Sequence, residues 1–90
     1  MIYESQGFSI DLSKLTRLYP AVIIKVAGDE AQVSLEWAEL KADVVSIRHY
    51  ILVFDVDPLG DIPKNRVILY YKNRHELDCA MQEVAQMLKH

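Results

Sequence analysis

The stretch Val44–Val56, VVSIRHYILVFDV, decides the fold. It is dominated by Val, Ile, Leu, Tyr and Phe and holds neither Pro nor Gly, so it reads as one long β-strand. Alternation sends Val45, Ile47, His49, Ile51, Val53 and Asp55 to one face, and Val44, Ser46, Arg48, Tyr50, Leu52, Phe54 and Val56 to the other. In its second half both faces are apolar. Such a strand is central, with a helix over one side and a further apolar layer or a partner over the other.

Downstream, Asp57, Pro58, Gly60, Asp61, Pro63, Lys64 and Asn65 form the densest turn cluster in the chain and predict a connecting loop. Arg66 to Lys72 follows as a strand. Leu77, Met81, Val84 and Leu88 then recur at helical spacing, flanked by Ala80, Ala85 and Met87, which predicts an amphipathic C-terminal helix with one buried side. Upstream, the β-branched run Ala21–Ala27 predicts a strand, and Gly28, Asp29 and Glu30 supply a hairpin turn. Val33, Leu35 and Trp37 alternate with Gln32, Ser34 and Glu36 as the returning strand, after which Ala38–Lys41 shows no clear period. Phe8–Leu12 alternates as a short strand. Leu12, Leu15, Leu18 and Tyr19 suggest a short helix over residues 13–19, capped by Asp11 or Ser13 and stopped by Pro20, with an irregular strand as the alternative.

The order β, short α, β, β, β, β, α predicts one small α+β domain over residues 1–90. Its mostly antiparallel sheet has about four or five strands packed against the C-terminal helix, and a partly open barrel is the variant. No residue motif ties the chain to a family. At 90 residues, 51% hydrophobic and 26% charged, the composition is that of a folded globular chain rather than a disordered one. The longest apolar runs fall far short of the roughly 18–20 residues of a spanning helix, and the N-terminus lacks the basic and apolar regions of an export signal. Cys79 is the only cysteine, so no intrachain disulfide forms, and a reducing cytoplasm is the expected setting.

Several constellations invite chemistry. Asp55, Asp57, Gly60 and Asp61 begin like a calcium loop. The later ligands are missing, however, and Arg66 stands where the bidentate carboxylate belongs. His75, Cys79 and Glu83 are spaced four apart on one helix face and are weak metal candidates, short of a four-ligand shell unless His90 or a partner chain completes it. No cofactor is expected. His49 and Asp55 share a strand face but lie six residues apart, about 20 Å, too far for an acid–base pair. Three isolated glycines exclude a phosphate-binding P-loop, and no nucleophile–base motif marks an enzyme.

Three functional readings remain, one of them a metal-binding protein or enzyme organised around His49 or the His75, Cys79 pair. Arg48, Tyr50, Arg66, Tyr70 and Lys72 would make a basic, aromatic sheet face suited to single-stranded nucleic acid, although the net charge of -3 weighs against it. The leading reading is an interaction module. Large side chains on strands, with Trp37, Tyr70 and Tyr71 as interface candidates, exceed what one helix can cover, which points to a homodimer or a protein partner meeting the sheet.

Overall fold

A computed structural model of the chain describes residues 1–89. The order is β1 (Ile2–Ser5), β2 (Phe8–Asp11), a 3-10 turn (Leu12–Lys14), β3 (Arg17–Val26), β4 (Asp29–Ser34), α1 (Leu35–Leu40), β5 (Ser46–Asp55), β6 (Val67–Tyr71) and α2 (Arg74–Leu88). The architecture is α+β. A four-stranded antiparallel sheet runs β4-β3-β5-β6, and β1 and β2 form a separate hairpin. β5 lies inside the sheet, paired with β3 from Arg17 opposite Asp55 to Lys25 opposite Ser46, and with β6 from Tyr50 opposite Tyr71 to Phe54 opposite Val67. The sheet is open, with β4 and β6 as its edges, and does not close into a barrel.

Local chemistry explains both hairpins. Each is joined by two residues with positive φ, Gln6 and Gly7 in the first, Ala27 and Gly28 in the second. That combination has the twist of a type I′ turn, which matches the twist of the strands it joins, and glycine makes its second position free of side-chain strain.

One face of the sheet is covered by α2, the N-terminal hairpin and α1. Leu52 and Phe54 of β5 and Leu69 and Tyr71 of β6 pack with Leu77, Ala80 and Val84 of α2 and with Tyr3, Ile10 and Leu12 from the N-terminal hairpin and turn. The Tyr3 and Phe54 rings stack with centroids 6.1 Å apart. Towards the other end of this face, Ala38 of α1 buries itself against Val22 and Ile24, and Tyr50 touches both clusters. α2 is capped by Asn73, whose side chain accepts from the Glu76 N–H at 2.9 Å while its amide donates to the Glu76 carboxylate at 3.4 Å, a reciprocal cap.

The sequence reading needs three corrections. The helical turn near residues 13–19 is confined to Leu12–Lys14, where Asp11 caps it by accepting from the Ser13 N–H at 3.0 Å. From Arg17 the chain is already β3, because Leu18, Pro20, Val22 and Ile24 alternate onto the covered face, and two turns of isolated helix are too short to compete. Pro20 is tolerated since β4 pairs β3 only from Ala21 onward. The strand expected to run to Trp37 ends at Ser34, whose hydroxyl accepts from the Trp37 N–H at 3.1 Å and opens α1. Trp37 therefore sits on a helix, because Leu35 and Ala38, three apart, both reach the core. Finally, β1 pairs residues of an N-terminus to which alternation assigned no element.

Phe54 has no exposed surface and touches both the hairpin and α2. Phe54→Ala is expected to cost about 3–5 kcal/mol in urea denaturation. Leu40→Ala, at a residue 80% exposed, should stay within about 0.5 kcal/mol.

Candidate interaction surface

The second face of the sheet is built entirely from strands. β3 contributes Tyr19, Ala21 and Ile23, β5 contributes His49, Ile51, Val53 and Asp55, and β6 contributes Ile68 and Tyr70. Register sets their neighbours: Tyr19 and Ile68 flank Val53, Ala21 and Tyr70 flank Ile51, and Ile23 lies opposite His49. Ala21, Ile51 and Val53 are buried beneath the partly buried Tyr19, Ile23 and Ile68, and no helical residue joins this cluster. The surface offered to solvent is thus a short apolar stripe.

Polar groups close both ends of the stripe. At one end the His49 ring meets the Tyr70 ring edge-on, with centroids 5.6 Å apart, and Tyr70 is 50% exposed. At the other, Asp55 is 1% exposed and accepts from Arg66 at 2.7 Å and 3.2 Å, a two-pronged pair that also raises the guanidinium pKa. The Asp55 carbonyl accepts from the Thr16 N–H and hydroxyl, at 2.8 Å and 3.1 Å. Next to it, Asp57 accepts from the Lys64 and Asn65 N–H groups at 2.7 Å and 2.8 Å and from the Asn65 amide at 3.0 Å. These two carboxylates, candidates for a calcium loop by position, each already hold protein donors.

The residues singled out by sequence are not brought together. Tyr50 lies opposite Tyr71 and Tyr70 opposite Ile51, so Tyr50 and Tyr70 point to opposite faces of the sheet. Arg48 pairs with Glu30 at 3.6 Å, Arg66 is held by Asp55, and Lys72 lies beyond the end of β6. The single basic, aromatic face expected from alternation is therefore split, with Arg66 held by Asp55 and Arg48 in a solvent-exposed contact with Glu30. Of the interface candidates, Tyr70 stands on the open face and Trp37 on α1. Tyr71 is buried under α2 and the hairpin, where burial pushes its hydroxyl pKa up. That hydroxyl has no hydrogen-bond partner among the described residues, and at 9% exposure Tyr71 is a core residue rather than a contact.

The helix candidates also separate. The His75 ring nitrogen lies 3.7 Å from the Cys79 sulfur, but the Glu83 carboxylate accepts from the Tyr3 hydroxyl at 3.3 Å. No group of three His, Cys, Asp or Glu side chains placed to hold a metal occurs among the described residues, and His90 lies outside them. No described helix is long and apolar enough to cross a membrane. An apolar cleft of about 180 Å³ opens between β3 and α2, lined by Leu18, Pro20, Leu52, Met81, Ala85 and Leu88. It falls below the roughly 300–1,000 Å³ of small-molecule pockets.

Sequence reasoning missed Gln6. Its side chain bonds to both backbone groups of Tyr70, donating to the carbonyl at 2.7 Å and accepting from the N–H at 3.0 Å. Only the Gln-Gly pair, a turn signal, pointed to that position.

Two outcomes test this end of the sheet. Arg66→Met leaves a buried carboxylate unpaired and should cost up to about 3 kcal/mol, less than a fully buried pair because the Arg66 side chain is 31% exposed. Backbone N–H groups of Asn65 and Lys64 hold the Asp57 carboxyl below its usual pKa. Its contribution is therefore fully present above the usual carboxylate range and lost only as pH falls through a lower value. The Lys64 and Asn65 amide resonances should shift together in that acidic window, and shifts centred at an ordinary carboxylate pKa would contradict it.

Compared with known proteins, the chain matches no family model, no curated protein and no solved structure.

Proposed function

We propose that the protein is a protein-interaction module, working in a reducing compartment, that binds through the open face of its sheet. The observation that carries this reading is a strand-only cluster, Ala21, Ile51 and Val53 under Tyr19, Ile23 and Ile68, left without a helix although the opposite face has two. An apolar centre with a polar rim is the anatomy of a binding patch, and an exposed aromatic such as Tyr70 is a frequent anchor. His49 and the Arg66–Asp55 pair supply the rim. The partner is a protein chain, a second copy or another protein, whose own surface presents aliphatic side chains.

A photo-crosslinking residue placed at Tyr70 in the host cell tests this directly. The expected result is a protein adduct that disappears when Ile23→Asp is added. Absence of any adduct, or an adduct indifferent to Ile23→Asp, would overturn the reading, and a nucleic-acid adduct would replace it with the alternative.

A further inference from the structure

We propose that the contact between copies of this chain is made by β4, edge to edge and antiparallel, joining two four-stranded sheets into one continuous sheet. This goes beyond the reading above, since it moves self-association from the open face to an edge and leaves that face to another protein.

The two edges of the sheet are treated differently. On β6, the Gln6 side chain occupies the backbone of Tyr70 as a neighbouring strand would, so pairing there is blocked. On β4, no hydrogen bond reaches the outward backbone groups of Glu30 or Gln32 from among the described residues. An unpaired edge without proline is a template for another strand, and proteins that avoid such pairing cover it or bend it away.

The hairpin geometry says which groups are free. Val26 and Asp29 close a two-residue turn, so they form a hydrogen-bonded pair, and the alternation gives Asp29, Ala31 and Val33 to β3. The N–H and C=O groups of Glu30 and Gln32 then point outward, with the N–H of Ser34. A two-fold axis perpendicular to the sheet keeps like faces together, so opposing residues must share a face. Centring the axis on Gln32 satisfies this: Gln32 meets its own copy, Glu30 meets Ser34, and Ala31 meets Val33.

Charge agrees with this register. Neither Asp29 nor Glu30 faces an acid, and Glu30 is already paired with Arg48 at 3.6 Å. Like charges directly opposite would have opposed pairing. Apolar surface agrees as well. α1 follows β4 and packs on β3 and β4, and Trp37, Leu40 and the nearby Val44 are 40%, 80% and 72% exposed. The same axis sets two α1 helices side by side on one face, where these side chains gain cover.

The test is sedimentation equilibrium of the full chain over a concentration series, with amide exchange read by NMR. The wild type should reach twice its 10.4 kDa monomer mass, with exchange at the Gln32 amide slowing as concentration rises. Gln32→Pro removes an outward N–H that no strand of the same chain uses, so it should halve the assembly mass with an unchanged circular dichroism spectrum. Ile68→Asp, on the open face, should leave the assembly mass unchanged. If Gln32→Pro fails to fold, concentration-dependent exchange at Gln32 in the wild type decides the matter. A wild type that stays at monomer mass overturns the proposal. So does a dimer whose Gln32 amide exchanges freely, and if Ile68→Asp abolishes that dimer, the open-face reading survives alone.

Discussion

Ile51, Leu52, Val53 and Phe54 are four consecutive residues with essentially no exposed surface. Because a strand turns successive side chains to opposite faces, this run obliges the fold to bury both sides of β5 at once. β3 and β6 flank it, so its backbone groups are met within the sheet. α2, α1 and the N-terminal hairpin shelter Leu52 and Phe54. Ile51 and Val53 have only the strand neighbours Tyr19, Ala21, Ile23 and Ile68, which lean over them and leave their own outer surfaces wet. The asymmetry of the molecule, covered on one face and bare on the other, follows from having one run that needs two covers and helices for only one.

Electrostatics then frame the bare face. A carboxylate as deeply buried as Asp55 is tolerable because Arg66 reaches it with two hydrogen bonds while keeping part of its own surface in water. The pair anchors the start of β6 to the end of β5, across a loop that Asp57 holds closed from within. The His49–Tyr70 contact marks the opposite end. What lies between is apolar and narrow, with Arg66 held by Asp55 at its end and Arg48 beside Glu30 at the solvent-exposed margin.

Much of this was legible in the residues. The period-two run around Phe54 marked the central strand, and the stripe Leu77, Met81, Val84 and Leu88 marked α2, though Leu88 turns out half exposed at the rim of the cleft. The excess of apolar surface over helical cover was readable from the composition of β5. Short segments were harder. Leu12, Leu15 and Leu18 fit a helical period while Leu18, Val22 and Ile24 fit a strand, and the tie is broken only by β5, more than twenty residues away in sequence. Leu35 belongs to both an alternating and a helical pattern, and the Ser34 cap settles it. The basic, aromatic set failed as one face for a simpler reason. Whether Tyr50 and Tyr70 share a side depends on the register between β5 and β6, which sequence alone does not fix, and a one-residue difference in register exchanges faces.

The central claim is that no helix covers the Ile23–Ile68 face of the isolated chain, while α2, α1 and the N-terminal hairpin cover the opposite face. Solvent paramagnetic relaxation of methyl groups, recorded in dilute protein with a soluble gadolinium chelate, reads this most directly. The account predicts strong relaxation at the Ile23 and Ile68 methyls and little at Ile24, Leu52 and Leu69. Equal protection of Ile23, Ile68 and Leu52 would mean that something already covers the open face, and would contradict the account.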